Sequence, residues 1–303
     1  KPLFLLGGGV NIACANEDMK KLVELTGVPV ITTIMGKGAI PTSHPLYMGN
    51  IGIHGSYAAN HAVSECDVLF SIGTRFNDRI TGKISEFAKN AKIIHIDIDS
   101  ASISKNIVVD VPIVADAKLA VQKILEYASP LKIDAWVDRL KEWKQTYPIT
   151  MERYEGLTPE KIIRYIAENY KRPIVATDVG QNQLWTTQFL ELEGNRQLLT
   201  SGGLGTMGYG FPAAIGAKLG NPDADVFAIS GDGGMQMNIQ ELATAVLEEL
   251  PIICCIFNNE YLGMVRQWQK LFYGKRYAMT NLKAGALSRR TDGQEYPEYT
   301  PDF

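Results

Sequence analysis

The chain has few of the features that would assign it quickly. No apolar run approaches the roughly 18 residues of a membrane span. Its four cysteines, Cys14, Cys66, Cys254 and Cys255, show neither C-x-x-C nor zinc spacing, which points away from a metal finger or disulfide framework and towards a reducing compartment, read here as cytoplasmic. Basic blocks are absent, and 30 Lys and Arg stand against 33 Asp and Glu for a net charge of −3. That balance excludes nucleic acid as the main partner. No fixed-period repeat is present, and residues 1–128 contain no strict G-x-G-x-x-G.

What is there suits a soluble globular protein of two domains. Hydrophobic residues are 46% and charged residues 21% of 303, and that length exceeds one ordinary core. Residues 2–128 alternate apolar strands (Leu3–Leu6, Val28–Thr32, Val68–Ile72, Ile93–Ile98) with helical patterns. This is the βα alternation of a mostly parallel sheet flanked by helices. From 129 to 155 the composition turns to Lys, Glu, Asp, Trp and Pro around a charged helix (Asp134–Thr146), read as a linker. Thr158-Pro159-Glu160 then opens a helix with a capping Thr and Pro at the first position. Strands recur at Pro173–Thr177, Leu198–Thr200, Val226–Ile229 and Ile252–Phe257, giving a second α/β domain over 156–303. The tail from Lys283 reads as a solvated loop. Both ends read as cuts through a longer protein, since Lys1 stands inside a strand pattern and Phe303 closes no capped element.

The chemistry-bearing stretch is 229–265. A strand ending Gly231-Asp232-Gly233-Gly234 is followed by an amphipathic helix and a second strand delivering Asn258-Asn259. Parallel strands joined by a crossover helix place their carboxyl ends at one sheet edge, where ligands of open α/β folds bind. Asp232 and Asn259 are hard oxygen donors there, suited to Mg²⁺ carrying a phosphate. Either piece alone is equally well an ordinary turn or helix entry. In the first domain, strand ends carry Gly7-Gly8-Gly9, Thr33-Ile34, Gly52-Ile53-His54, Gly73-Thr74-Arg75, Asn77, Arg79 and Asp97-Ile98. Glycines there admit a pyrophosphate, and an acid holds ribose hydroxyls. Tight turns and surface ion pairs explain the same residues as well.

The spacing of Gly-Asp-Gly and the paired Asn resembles the thiamine-diphosphate signature. Long runs, GNIGIHGSYAANHAV, GTRFNDRITG, KIIHIDID, TDVGQNQLW, SGGLGTMGYGFPAAIGA and FNNEYLGMVRQWQKLFY, resemble the acetolactate synthase (acetohydroxyacid synthase) catalytic subunit, over its middle domain and most of its C-terminal domain. That resemblance implies Mg²⁺ on Asp232, Asn259 and the Tyr261 carbonyl. It implies thiamine diphosphate against Val179, Gly180, Gln181, Asn182, Gly205, Met207, Gly231, Gly233, Gly234, Met264 and Val265. Met207 would be the wedge behind the bent cofactor. Asn182 stands where the family has His, and its amide is expected to donate to a phosphate oxygen. FAD is implied against Gly7, Gly9, Thr33, Ile34, Gly52, Ile53, His54, Gly73, Thr74, Arg75, Asn77, Arg79, Ile80, Asp97, Ile98, Asp116 and Ala117. Arg79 and Trp268 would recognise the second substrate.

The implied reaction is carboligation in branched-chain amino-acid biosynthesis. Pyruvate loses CO₂ on the cofactor, and the remaining two-carbon unit joins pyruvate or 2-ketobutyrate. The resemblance also implies a homodimer or homotetramer and a possible regulatory subunit. The catalytic Glu of the family lies in a first domain to which nothing here corresponds, so the chain alone is expected to be inactive. Pyruvate oxidase, glyoxylate carboligase and a non-catalytic nucleotide-binding module remain the alternatives. Product assay separates the first two, and cofactor titration the third.

Overall fold

A computed structural model describes residues 1–194 and 197–282; the tail expected as a solvated loop lies outside them. Two compact units form, 1–156 with 191–197, and 157–190 with 198 onward. Each is built on a wholly parallel sheet.

In the first unit the strands are β1 (Pro2–Leu6), β2 (Val30–Thr32), β3 (Tyr47–Asn50), β4 (Val68–Ile72), β5 (Lys92–Asp97) and β6 (Val111–Val114), in the order β3-β2-β1-β4-β5-β6. Successive side chains of a strand point to opposite faces. Leu3 and Leu5 therefore join one core with Ile31, Met48, Leu69 and the helix Tyr57–Glu65. Phe4 and Leu6 join the other with Val30, Ile72, Ile96 and the helix Asn16–Thr26. Both faces are covered, which is why β1 reads as an unbroken apolar run. The strand order reverses at β1, so the crevice at the carboxyl ends of β1 and β4 is where such a sheet takes a ligand.

The sequence pattern located four of these six strands within a few residues of their positions but missed β3 and β6. Tyr-Met-Gly-Asn and Val-Pro-Ile-Val are short edge strands carrying Gly or Pro, which weaken a strand pattern. The stretch read as a linker is part of the first unit: Trp136 and Leu140 of the helix Asp134–Thr146 are buried in its core. Trp136 Nε1 also donates to the Pro2 carbonyl at 3.0 Å. Its charge made this helix look like a connector, while its apolar face is spaced for burial.

The segment 191–197 is likewise held by the first unit. Leu192 is buried, its N–H donates to Thr42 Oγ1 at 2.8 Å and its carbonyl accepts from the Thr42 N–H at 2.8 Å.

The second unit holds β7 (Ile174–Thr177), β8 (Leu198–Thr200), β9 (Val226–Gly231) and β10 (Ile253–Phe257), in the order β10-β9-β7-β8. Thr158 caps the helix Pro159–Asn169 as the sequence foretold, accepting from the Lys161 N–H. The single helix expected after Gly-Asp-Gly-Gly is two short ones, Asp232–Met237 and Leu242–Leu247, separated by a tight turn at Ile239–Glu241. Asn238, a poor helix former, stands at the break. β10 is an edge strand, and Cys254 on it is exposed.

Candidate functional site

The register of the second sheet decides the site. Phe257 pairs with Gly231 and Thr177 with Ile229, so β10, β9 and β7 end together. Asn259, Asp232 and Val179-Gly180 thus leave adjacent strand ends, as the spacing required. Asp232 is 4% exposed. Its carboxylate accepts the N–H groups of Gly233 and of Glu260, which ties the end of β9 to the loop after β10. Burial pushes its pKa up, opposed by those backbone hydrogen bonds. No cationic side chain pairs with it among the described residues.

Around it stand neutral oxygens and the Glu260 carboxylate, whose charge adds to the upward push on Asp232. Asn259 Oδ1 accepts the Tyr261 N–H at 3.0 Å, leaving it one lone-pair direction. Glu260 is held in the left-handed region at φ 61°, a conformation that costs energy and collects at functional sites. The segment 280–282 supports this loop: the Leu262 N–H donates to the Thr280 carbonyl and the Leu282 N–H to the Glu260 carbonyl, each at 2.8 Å. A buried carboxylate, an amide oxygen and backbone carbonyls form a donor set for a hard divalent cation. The residues fit Mg²⁺.

The phosphate side is less uniform than the sequence suggested. Gly180 takes φ 126° and opens the helix Gln181–Phe189, which leaves N–H groups at a helix start. Gln181 Oε1 accepts from Asn259 Nδ2 at 3.3 Å, and its Nε2 donates to Gln267 at 3.0 Å. Asn182 does not do what was expected of it. Its Nδ2 donates to the carbonyls of Asp178 at 2.9 Å and Ile229 at 3.3 Å, so both hydrogens are spent inside the sheet. Only its Oδ1 faces the gap beside Gly180 and Gly231. Gly234 is also explained from behind: a β-carbon there would meet Asp178 Oδ1 at 2.5 Å.

Met207 is brought to the same place. Its Cε lies 3.6 Å from where a β-carbon on Gly233 would be, and Leu262 stands on that side too. Gly205, with φ 66°, packs against Val179. Met264 and Val265 form the first turn of the helix Gly263–Phe272, and the Trp268 ring lies tilted against Phe272 with centroids 5.1 Å apart. Asp178 is a buried residue of this site that the motif reading passed over, although Gly203, Gly205 and Gly208 carry the G-x-G-x-x-G spacing that marks the loop it holds.

In the first unit the glycines are explained by one another. A β-carbon on Gly9 would meet Gly73 Cα at 2.7 Å, and the Gly9 N–H donates to the Gly73 carbonyl at 3.1 Å. Likewise a β-carbon on Gly52 would meet the Arg79 carbonyl at 2.6 Å. Thr74 turns inward to Ser71, Asp116 caps the helix Ala117–Leu125 with Ala117 buried at its start, and Arg79 pairs with Asp78 at the surface at 3.0 Å. Thr33 Oγ1 accepts the Gly36 N–H, Asp97 Oδ1 accepts the Asp99 N–H, and Asn106 donates to the Arg75 carbonyl. Ile34 and Ile80 are half-buried.

The same edge keeps features that suit a flat heteroaromatic ligand. Met35, Ile53 and Ile98 are exposed just after β2, β3 and β5. Burial lowers the pKa of His54, keeping its imidazole neutral. Asn77 Oδ1 is buried with no hydrogen-bond partner, a cost that a ligand N–H would remove. The residues fit the ring portion of a flavin, while the glycine backbones there are closed on each other.

Comparison with known proteins accounts for both units. Residues 1–124 match "Thiamine pyrophosphate enzyme, central domain" and residues 178–294 match "Thiamine pyrophosphate enzyme, C-terminal TPP binding domain". The probable acetolactate synthase large subunit of Methanococcus aeolicus is 48% identical over 301 residues, covering 93% of this chain and 50% of that protein. The acetolactate synthase large subunit of Corynebacterium glutamicum is 46% identical over 311 residues, covering 100% of this chain and 48% of its own length. That of Cyanidium caldarium is 44% identical over 293 residues, with 94% and 50% covered. The chain spans about half the length of the curated relatives it matches. With a parallel sheet in each unit and the Gly-Asp-Gly and Asn-Asn strand ends side by side in the second, the chain belongs to the thiamine pyrophosphate enzymes and carries their central domain followed by their TPP-binding domain.

Proposed function

We propose that the chain is the central and cofactor-binding part of an acetolactate synthase large subunit, acting on pyruvate and a second 2-keto acid. The observation that carries this reading is the convergence of Asp232 and Asn259 at adjacent strand ends, in a chain 46% identical to the Corynebacterium glutamicum protein across its whole length. Asp232, Asn259 and the Tyr261 carbonyl would hold Mg²⁺, and the metal would hold a diphosphate over the start of the helix Gln181–Phe189. Thiamine diphosphate, when bound, supplies the electron sink for decarboxylation. Met207 would set the bend of that cofactor over Gly233. Trp268 would pack on the acceptor's alkyl group, and the resemblance gives Arg79 a part in substrate recognition, its guanidinium being able to pair bidentately with a carboxylate. FAD would lie along the first unit's edge, its ring over Met35, Ile53 and Ile98 and a ring N–H on Asn77 Oδ1. A cytoplasmic homo-oligomer, with a regulatory subunit as a possible partner, completes the reading.

Isothermal titration of the protein with thiamine diphosphate, with and without Mg²⁺, tests the site. Metal-dependent binding is expected, and binding that ignores the metal overturns the assignment. Product analysis from pyruvate alone and from pyruvate with 2-ketobutyrate tests the reaction in a full-length subunit, since this chain alone is expected to be inactive. Acetate or tartronate semialdehyde in place of acetohydroxy acids would assign another activity.

A further inference from the structure

The most demanding side chain of the second unit is one that the metal set does not use. Asp178 follows β7 directly and is 1% exposed. The N–H groups of Val179 and Gly208 reach its Oδ1 at 3.0 and 3.1 Å, and that of Gly210 reaches its Oδ2 at 2.9 Å. No ion pair neutralises it among the described residues. Backbone closes in from every side: a β-carbon on Gly234 would lie 2.5 Å from Oδ1, and one on Gly210 would lie 2.6 Å from the Asp178 nitrogen. A carboxylate buried without a cation persists only where several charge-assisted hydrogen bonds replace water. All of those donors are backbone; Gly208 belongs to the loop 201–209, and Gly210 opens the helix Gly210–Gly220 that follows it.

That loop has little else to define it. Leu204 and Gly205 are exposed, while the other ties near Met207 are Asn238 Nδ2, donating to the Gly208 carbonyl at 2.7 Å, and the Ser201 contacts to Thr206 and Gly205. Asp178 grips the N–H directly after Met207. We propose that Asp178 is a positioning residue, which fixes the loop so that Met207 stands over Gly233 beside Asp232. The inference rests on the reading that this site takes thiamine diphosphate with Mg²⁺. A carboxylate is required because both oxygens face N–H donors; an amide would present its own NH₂ to one of them.

The test compares Asp178→Asn with Ile215→Val, a core change in the same unit, in the intact protein. Hydrogen exchange at the Gly208 and Gly210 amides, the methyl NMR signal of Met207, and calorimetric affinity for Mg²⁺ with thiamine diphosphate are read together. Asp178→Asn is expected to speed exchange at both amides while leaving the β9 amides protected, and to broaden the Met207 methyl. It should weaken cofactor affinity by about tenfold to a hundredfold, the range for groups that orient a metal site from behind. Ile215→Val should do neither. Unchanged exchange at Gly208 and Gly210 overturns the proposal, as does faster exchange with unchanged affinity. If the wild-type protein shows no metal-dependent binding, the cofactor reading falls, and the exchange data still decide whether Asp178 fixes the loop. Should Asp178→Asn not fold, Asn238→Ala loosens the same loop from its other side and is expected to act in the same direction; protection and affinity both unchanged there overturn the proposal.

Discussion

The two sheet edges are alike in topology and differ in what they bury. In the first unit the glycines after β1 and β4 close on each other's backbones, and the titratable groups behind them are neutral or paired: His95 Nε2 donates to the Thr74 carbonyl at 2.8 Å, and burial lowers its pKa. In the second unit the strand ends bury two carboxylates, Asp178 and Asp232, with backbone N–H groups and no cation about them. Each edge holds one strained non-glycine residue, Phe76 at φ 47° and Glu260 at φ 61°. Glycine, strain and a buried carboxylate (Asp97 in the first unit) are therefore common to both, and the second edge is distinguished by burying two carboxylates, of which Asp232 is the one offered to a metal. A protein tolerates such charge where a ligand supplies the opposite sign.

The sharpest way to break this contrast is to remove the charge. Asp232→Ala is expected to abolish Mg²⁺-dependent binding of thiamine diphosphate and the thermal stabilisation that accompanies it, about 2.7 kcal/mol at a hundredfold excess over Kd. Calorimetry and a melting series with both ligands check this. Unchanged affinity would move the metal elsewhere.

In the first unit the matching change is Gly73→Ala, and its cost should not depend on any ligand. The added β-carbon meets Gly9 Cα at 2.6 Å and φ is 63°, so a loss of about 1–3 kcal/mol is expected from overpacking and strain together. Denaturant unfolding with and without FAD measures it. A loss seen only with FAD would show that these glycines serve the ligand after all.

A third test uses the first unit's own buried charge. Lys37 is buried with its pKa lowered from 10.5 to about 7, mainly by desolvation and opposed by Glu191. Between about 7 and 10.5 the unfolded chain holds a proton that the folded chain has released, so stability rises with pH across that window and is lost on acidification through 7. Lys37→Met is expected to flatten this slope. Urea unfolding at pH 7 and pH 9 reads it directly.

Asp116→Ala gives the smallest effect. As a helix cap its loss costs about 1 kcal/mol, and the comparison predicts that FAD affinity stays within threefold if capping is its whole role (RT ln 3 being under 1 kcal/mol). Flavin fluorescence titration separates the cap from a ligand contact.

Much of this was legible from the residues. The α/β class followed from alternating apolar strands and helical stretches, and Asp232 with Asn259 followed from parallel-strand topology, because strand ends are fixed by the pattern that makes the strands. Side-chain direction was not legible. Asn182 falls where a phosphate donor was expected, yet its amide hydrogens are taken by Asp178 and Ile229, a partnership set by how β7 and β9 pair. Asp178 was invisible for the same reason, since its partners lie 30 and 32 residues away in sequence. The glycines of the first unit were visible as a set, but whether they faced a ligand or each other depended on tertiary packing.

The short segment 191–197 has a practical consequence. Because it belongs to the first unit while the chain before and after it belongs to the second, a single cut after Gly156 does not separate two self-sufficient pieces. An amino-terminal piece would lack the backbone partner of Thr42, and Leu192 would be left on a piece that gives it no place to be buried. Splitting the protein for separate expression calls for two breaks and a graft: 191–197 returned to the first piece, and Leu190 rejoined to Leu198 in the second through a short flexible turn.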